Sequence, residues 1–473
     1  MRSLLAGLGV LASSTPAWTD STRKVPTLIY VDPVDYERRI LLDACRARGV
    51  ECVEVWSRPY FSTVLEAAVN AAQERAADLG VAVEELYESL RSEVEEHVAP
   101  YSGDEVAWAA THGIFGAHTS ADLLGVLCGS DAGLATAERL QDVLVPTRSN
   151  GRNVARRDKF LTHHTLAAAG LASAHQAVVK SWPEAEVFLN TLGKPLRAVV
   201  KPRRGQGSLR VGLAHSHAEV KHMLTFLLSE AASLDHEEVA PGDALLQEMI
   251  DGDEWAVDLV SRNGEHKVVA LWRYDKRPVN GAPFVYFCDE LRGVEGPRER
   301  AICNYAMAAL GVLGWRWGPS HLEIRDSSRG PVLVEANAGR FNGVNFLPLT
   351  SKCIGYTMYG SALDAFCNSA NWEAIPSMPP SRLKFAGRLV KLVSSVEGVL
   401  QTLHHQDLIY ALPSLLQYYP KYSPGEEVSL TVDLSSSAGL VLLAGPQTQV
   451  DQDYSTILGI QSEMFDVVTK ASR

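Results

Sequence analysis

The stretch that most constrains this chain runs from Ala198 to Gly212, AVVKPRRGQGSLRVG. Ala198, Val199 and Val200 form a short apolar β run. Lys201 ends it, and Pro202, which has no backbone N–H to give to a sheet, blocks its continuation. Gly205-Gln206-Gly207-Ser208 can bend tightly and bring backbone N–H groups close to a ligand. Leu209, Val211 and Leu213 then resume the alternation of a strand with one apolar face. A lysine at a strand end beside a Gly/Ser loop suits a polyphosphate: the lysine gives a point charge and the loop gives hydrogen bonds. Two glycines equally suit a plain hairpin turn, so the rest of the chain must decide. The Walker pattern G-x-x-x-x-G-K-[ST] is absent, and Gly205-x-Gly207 lacks the third glycine of a Rossmann fingerprint because Arg210 stands there. Any nucleotide here is held in another way.

Length and charge narrow the classes. A chain of 473 residues holds about three domains. With 46% hydrophobic and 21% charged residues it is ordinary globular material. A net charge of −12 argues against a nucleic-acid partner, which selects for a basic face, while leaving room for a local basic pocket. Seven scattered cysteines without a C-x-x-C pair fit buried reduced thiols, not a disulfide framework or zinc site. Leu4–Ala12 is a short apolar run behind one arginine, followed by Thr15-Pro16-Ala17. Residues 1–24 therefore read as a flexible or targeting segment. No stretch reaches membrane-spanning length without charges. The expectation is a cytoplasmic protein with no membrane partner, organelle targeting by the N-terminal segment being the alternative.

The order of elements is that of an α/β (α+β) protein. Pro26–Asp32, Glu51–Trp56 and Asp122–Cys128 read as strands, with helices at Tyr36–Arg48, 63–98 and Leu134–Leu144; together they make an open α/β domain over 25–150. A second region spans 151–380. It has a helix at Arg156–Ala169, strands at Ala177–Lys180 and Arg197–Lys201, and helices at 183–192 and 216–233. Then come strands at Ala244–Met249, Glu254–Ser261 and His266–Tyr274, a helix at Arg298–Leu313, and two strands between Ser320 and Asn337. A small C-terminal part, 381–473, alternates strands with loops and ends in a short helical segment.

Three constellations carry chemistry. The sharpest is His321-Leu322-Glu323-Ile324 followed by Val334-Glu335-Ala336-Asn337. If Asp326 pairs with Val332 across a five-residue loop, Glu323 faces Glu335 and His321 faces Asn337. Leu322, Ile324, Val334 and Ala336 then stack on the opposite, buried face. Opposed carboxylates repel, and a divalent cation turns that cost into a gain; Mg²⁺ takes one or two carboxylates plus phosphate oxygens and water. The competing reading, a solvated acidic pair, leaves Asn337 and Arg340 without a role. The second constellation is Gln247-Glu248-Met249-Ile250-Asp251-Gly252-Asp253-Glu254. There Glu248 ends one strand and Glu254 starts the next, so one carboxylate can accept from an exocyclic amine and the other from two ribose hydroxyls. The third is Arg156-Arg157-Asp158-Lys159 at a helix start, where positive charge opposes the macrodipole and suggests an external anion. His163-His164 and His404-His405 read as surface or packing residues.

In this order and spacing the pieces resemble the ATP-grasp superfamily, over roughly residues 25 to 470. The layout is most similar to the L-amino-acid (dipeptide) ligases, and mycosporine-glycine synthases look similar too. The resemblance implies a lid at about 171–243 within an ATP-grasp domain at 151–380, a central antiparallel-sheet subdomain and a small C-terminal strand domain. It implies that Lys159 and Lys201 bind the ATP phosphates while Gly205, Gly207 and Ser208 close over them. Glu248 and the Met249 backbone would hold adenine, and Glu254 the ribose. Glu323, Glu335 and Asn337 would ligate Mg²⁺, with Mn²⁺ as a substitute. Arg340 would steady the transferred phosphoryl group or the substrate carboxylate, acting with Lys201 in catalysis. The family commonly shows E-x-N-x-R, whereas Gly339 makes the motif E-x-N-x-x-R here. The implied activity joins a small carboxylate to an amine through an acyl phosphate, releasing ADP and phosphate, in a protein that can be a homodimer. A C–N ligase acting on a cyclic ketone-enol and a non-catalytic ATP-binding module are the alternatives. A biotin-dependent carboxylase partner is disfavoured, since no biotinyl-lysine domain is seen.

Overall fold

The computed structural model describes residues 25–33, 35–61, 98–99, 103–111, 123–204, 210–230 and 243–468. The helix expected over 63–98 falls almost wholly outside them. At the N-terminal end, apolar runs form a parallel sheet. β1 (Thr27–Val31) is buried throughout and lies between β2 (Glu51–Val55) and β3 (Leu123–Cys128). A strand covered on both faces must be apolar along its length, and TLIYV nearly is. α1 (Asp35–Arg46) links β1 to β2, and α2 (Leu134–Leu144) follows β3. Strand order reverses at β1, and ligands of open parallel sheets gather beyond the strand ends at such a point.

α3 (Lys159–Ala168) leads into a second, antiparallel sheet. Its strands are β4 (Gln176–Val179), β5 (Ala198–Lys201), β6 (Gly212–Ala214) and β7 (Ala244–Glu248), in the order β4-β7-β5-β6. α4 (Trp182–Leu189) and α5 (His217–Glu230) pack on it, burying Val179, Phe188, Val200, Leu224 and Leu246. A lid boundary at 243 would remove β7 from between its two partners, so the unit extends through Glu248.

The third sheet has eight strands. β8 (Asp253–Arg262), β9 (Glu265–Val279), β10 (Ala282–Arg292), β11 (Gly318–Ser327) and β12 (Gly330–Ala338) form its first half. α6 (Pro297–Val312) lies on one face, over Trp255, Val257, Leu322, Ile324 and Leu333. β10 is a strand that the sequence reading left unassigned. It is joined to β9 by Asn280-Gly281, both at positive φ (52° and 77°), with Val279 opposite Ala282. That is the two-residue hairpin loop whose twist matches its strands.

α7 (Leu347–Cys353) and α8 (Met358–Cys367) follow. After them come β13 (Ala386–Leu392), β14 (Gly398–Leu403), β15 (Leu415–Pro420), β16 (Glu427–Val428), β17 (Gly439–Gly445), α9 (Gln447–Ile460) and β18 (Phe465–Val468). The central order is β12-β11-β8-β9-β10-β13-β17-β15, so three C-terminal strands continue the central sheet and the line drawn at 381 cuts through it. β14, β16 and β18 form a separate small sheet, and the described chain ends in a strand instead of the expected helical segment. Among the described residues no helix is long and apolar enough to cross a membrane.

The turn from β7 to β8 depends on Gly252. Its φ is +87°, and a Cβ there would sit 2.0 Å from the Asp326 carbonyl oxygen. Neither backbone segment can yield cheaply. Gly252→Ala is expected to cost about 2 kcal/mol or more, read as a lower midpoint in chemical denaturation.

Candidate active site

The β4-β7-β5-β6 sheet and the central sheet enclose a cleft of about 760 Å³, its open mouth included. Seven residues singled out from the sequence line it: Lys159, Lys201, Glu248, Met249, Glu254, Glu323 and Glu335. Asn337 and Arg340 do not line this cleft, and Gly205, Gly207 and Ser208 lie outside the described residues.

The cations reach the cleft by two routes. Lys201 ends β5, is almost fully buried, and donates to Gln247 Oε1 at 2.8 Å. Burial, then the neighbouring charge of Lys159, pushes its ammonium down to about 8; Glu335, Glu323 and Glu254 act in the opposite sense. Lys159 is the first residue of α3, and its Nζ pairs with Glu335 Oε1 at 2.8 Å. The helix starts there and not at Arg156, because Asp158 is its N-cap, accepting from the Leu161 N–H at 3.1 Å. The expectation of an external anion at Arg156-Arg157 is corrected by what those side chains touch. Arg156 is buried and donates to Glu138 and to the carbonyls of Asn150, Gly151, Leu313 and Gly314. Arg157 takes the other oxygen of Glu138. Both clamp α2 to the middle of the chain.

The carboxylates come from β11 and β12. Glu323 is opposite Glu335 and His321 opposite Asn337, as the pattern requires. Near the turn the register differs: Arg325 pairs with Val332 and Asp326 with Pro331, around a two-residue loop. A bulge beside Glu335 absorbs the offset. It turns Val334 into the cleft wall, while Leu333 takes the core position. Glu323 is held above the usual carboxylate range by burial, against the pull of Lys276 and with the repulsion of Glu254 and Glu335. A buried carboxylate so placed would be relieved by a cation. Glu323, Glu335 and Asn337 offer only oxygen donors of the hard type that Mg²⁺ takes. Among the described residues no cluster of three His, Cys, Asp or Glu forms a complete cage. The donor set thus fits a cation shared with phosphate oxygens.

At the other end, Glu248 Oε1 accepts from the His175 N–H at 2.9 Å and from Arg329. The Met249 N–H is engaged with the Arg197 carbonyl at 3.2 Å. Glu254 is buried and pairs with Lys276 and with Arg325 (2.8 Å); burial alone would raise its pKa, but these two charges hold it below the usual range. Lys276, Phe284 and Arg325 also line the cleft; the sequence reading gave Arg325 and Lys276 no role there. The Asn280-Gly281 hairpin was the available signal for Lys276 and Phe284, since it sets β9 and β10 side by side. Further along, His321 Nδ1 lies 2.6 Å from Asp258 Oδ1, and Tyr286 donates to Glu323 Oε1 at 3.4 Å.

Arg340 sits where the central sheet meets the N-terminal one. Gly339 is at φ +92°, and this left-handed step turns the chain so that Arg340 reaches Asp131, 3.3 Å away in the loop after β3. Among the described residues its buried Nη1 has no hydrogen-bond partner, nor have Glu37 Oε2 and Tyr30 Oη. Burial pushes the Glu37 carboxyl up to about 7, against the charge of Arg340. Beside them, buried Asp32 holds φ +52° and accepts from Ser57 N (2.6 Å), Ser57 Oγ (2.7 Å) and Ser130 Oγ (2.5 Å). This is the switch point of the parallel sheet.

Residues 194–347 match the family model of the ATP-grasp domain. The chain is 26% identical over 325 residues to dapdiamide A synthase of Enterobacter agglomerans, covering 67% of this chain and 74% of that protein. It is 27% identical over 229 residues to a D-alanine–D-alanine ligase of Methylibium petroleiphilum, covering 44% and 68%. The crystal structure of an L-amino acid ligase from Bacillus licheniformis superposes with a TM-score of 0.64 at 14% identity, over 95% of this chain and all of that one. That likeness establishes the fold.

A phosphate ligand held by Lys201 would bind with a pH dependence. The Lys201 ammonium loses the proton as pH rises through about 8, so affinity for ATP is expected to fall from pH 7 to pH 9. Lys201→Gln should bind ATP weakly and flatten that dependence; calorimetric titrations at a series of pH values check both.

Proposed function

We propose that this protein is an ATP-dependent carboxylate–amine ligase acting on small amino-acid-like substrates. One observation carries the reading. Glu323 and Glu335 face each other in the cleft with Lys159 paired to one of them and Lys201 buried nearby. A carboxylate pair set among two lysines suits bound phosphates and a cation better than it suits an apolar ligand. Mg²⁺, or Mn²⁺ in its place, held by Glu323, Glu335 and Asn337, would supply charge neutralisation at the phosphates.

The chain's own residues supply position and field. Lys159 and Lys201 draw the phosphates to the carboxylate end of the cleft. Glu248 and Glu254, at the other end, are set to receive the adenine amine and the ribose hydroxyls. The substrate carboxylate oxygen attacks the γ-phosphorus, the bond to the β-phosphate oxygen breaks, and ADP leaves. The amine then attacks the acyl carbon, phosphate departs with the bonding pair, and the amine proton goes to solvent. Phosphoryl transfer of this kind rests on positioning and charge more than on covalent help. Arg340, with a buried N–H that has no acceptor among the described residues, is the group set to hold the substrate carboxylate or the transferred phosphoryl group.

The relatives' printed names support the reading: one is a dapdiamide A synthase, another a D-alanine–D-alanine ligase, and the fold matches an L-amino acid ligase. The test is ADP release over a panel of amino-acid pairs. Release that needs both a carboxylate and an amine is the expected result. Glu335→Gln should lower it by about a hundredfold or more, the range for losing a group that stabilises transition-state charge. ATP binding without phosphate release across the panel would instead mark a binding module, and full activity in Glu335→Gln would remove the metal assignment.

A further inference from the structure

Among the described residues Lys201 pairs with no carboxylate. Its ammonium, buried to 3% exposure, donates to the side-chain oxygen of Gln247, which is 2% exposed. Gln247 Nε2 in turn donates to Gln176 Oε1 at 3.3 Å, and Gln176 Nε2 donates to the Phe160 carbonyl at 2.8 Å. The direction of this chain admits one assignment. An ammonium can only donate and a backbone carbonyl can only accept, so both amides are fixed between them. The partners belong to three elements: Gln176 lies directly opposite Gln247 across β4 and β7, and Phe160 follows Lys159 on α3. The path therefore joins one phosphate-facing lysine to the backbone beside the other.

We propose that Gln247, oriented by Gln176, is the positioning residue that aims Lys201 at the nucleotide while leaving its charge unspent. An amide oxygen accepts the hydrogen bond without neutralising the ammonium, whereas a carboxylate would hold the lysine in an internal ion pair. Lys159 illustrates the contrast, being paired with Glu335. The charged and titratable groups facing Lys201 are Lys159 and His163 from α3, Glu254 from β8, Glu323 from β11 and Glu335 from β12. None of them replaces the Gln247 acceptor. The inference rests on the reading of Lys201 as a phosphate ligand.

The test measures ATP affinity by calorimetry in the full-length protein, with thermal unfolding as a check on folding. Gln247→Leu should weaken ATP by about tenfold or more, the range for a hydrogen bond to a charged group. Gln247→Glu keeps the hydrogen bond but adds the counter-charge. It should also weaken ATP, and it should move the fall in affinity to higher pH, because the lysine then keeps its proton longer. Gln176→Leu should give a smaller loss, and the double Leu variant should match Gln247→Leu alone, since both changes break one path. A packing role would move neither the pH profile nor this non-additivity. If Gln247→Glu binds ATP with wild-type affinity and pH profile, or if the two Leu variants add independently, the relay is overturned. Wild-type protein that binds no ATP overturns both the relay and the reading beneath it.

Discussion

Two glutamates held opposite each other across β11 and β12 set the terms for the rest of the cleft. Directly opposed like charges destabilise a strand pair. They stay because the other face of the same strands is buried: Leu322, Ile324, Leu333 and Ala336 lie under α6. Slipping the register by one residue would drive those side chains into the cleft and the carboxylates into the core. The apolar face therefore enforces what the polar face resists. The cations answer that charge. Lys159 is paired with Glu335, and the charge of Lys276 acts on Glu323. Lys201 arrives on β5 of the four-stranded sheet, so cleft electrostatics depend on both sheets.

Much of this was legible because it is local. The facing of Glu323 with Glu335, and of His321 with Asn337, follows from alternation alone, and Ala198–Lys201 forms the strand its apolar run implies. The errors came from pairings that alternation does not contain. Arg156 and Arg157 read as free charges because Glu138 and the carbonyls of Leu313 and Gly314 are far away in sequence. The bulge that turns Val334 into the cleft is invisible to a count of two, which had placed this residue in the core. β10 was within reach, since Asn280-Gly281 is a strong hairpin signal. β10 mixes aromatic and charged residues instead of alternating cleanly, and Phe284 on it lines the cleft.

The C-terminal part looked separate because its strands and loops matched the small C-terminal domain that the resemblance implies, but hydrogen bonding does not stop at residue 381. β13 pairs with β10, opposing Leu389 with Asp289 and Val390 with Cys288. Its Lys391 forms a fully buried ion pair with Asp289. Burial raises the Asp289 carboxyl, against the charge of Lys391. A pair of this kind contributes little net stability, because desolvation offsets most of the attraction. What it does fix is geometry. The Lys391 ammonium lies 5.2 Å from the ring centroid of Tyr286 and 6.0 Å from that of Phe346. Tyr286 in turn reaches Glu323, so one face of a carboxylate at the centre of the cleft is set by a strand beyond residue 381. A chain cut at that boundary would lose β13 from beside β10 and leave Asp289 buried without its cation. The C-terminal strands therefore act as part of the floor of the site.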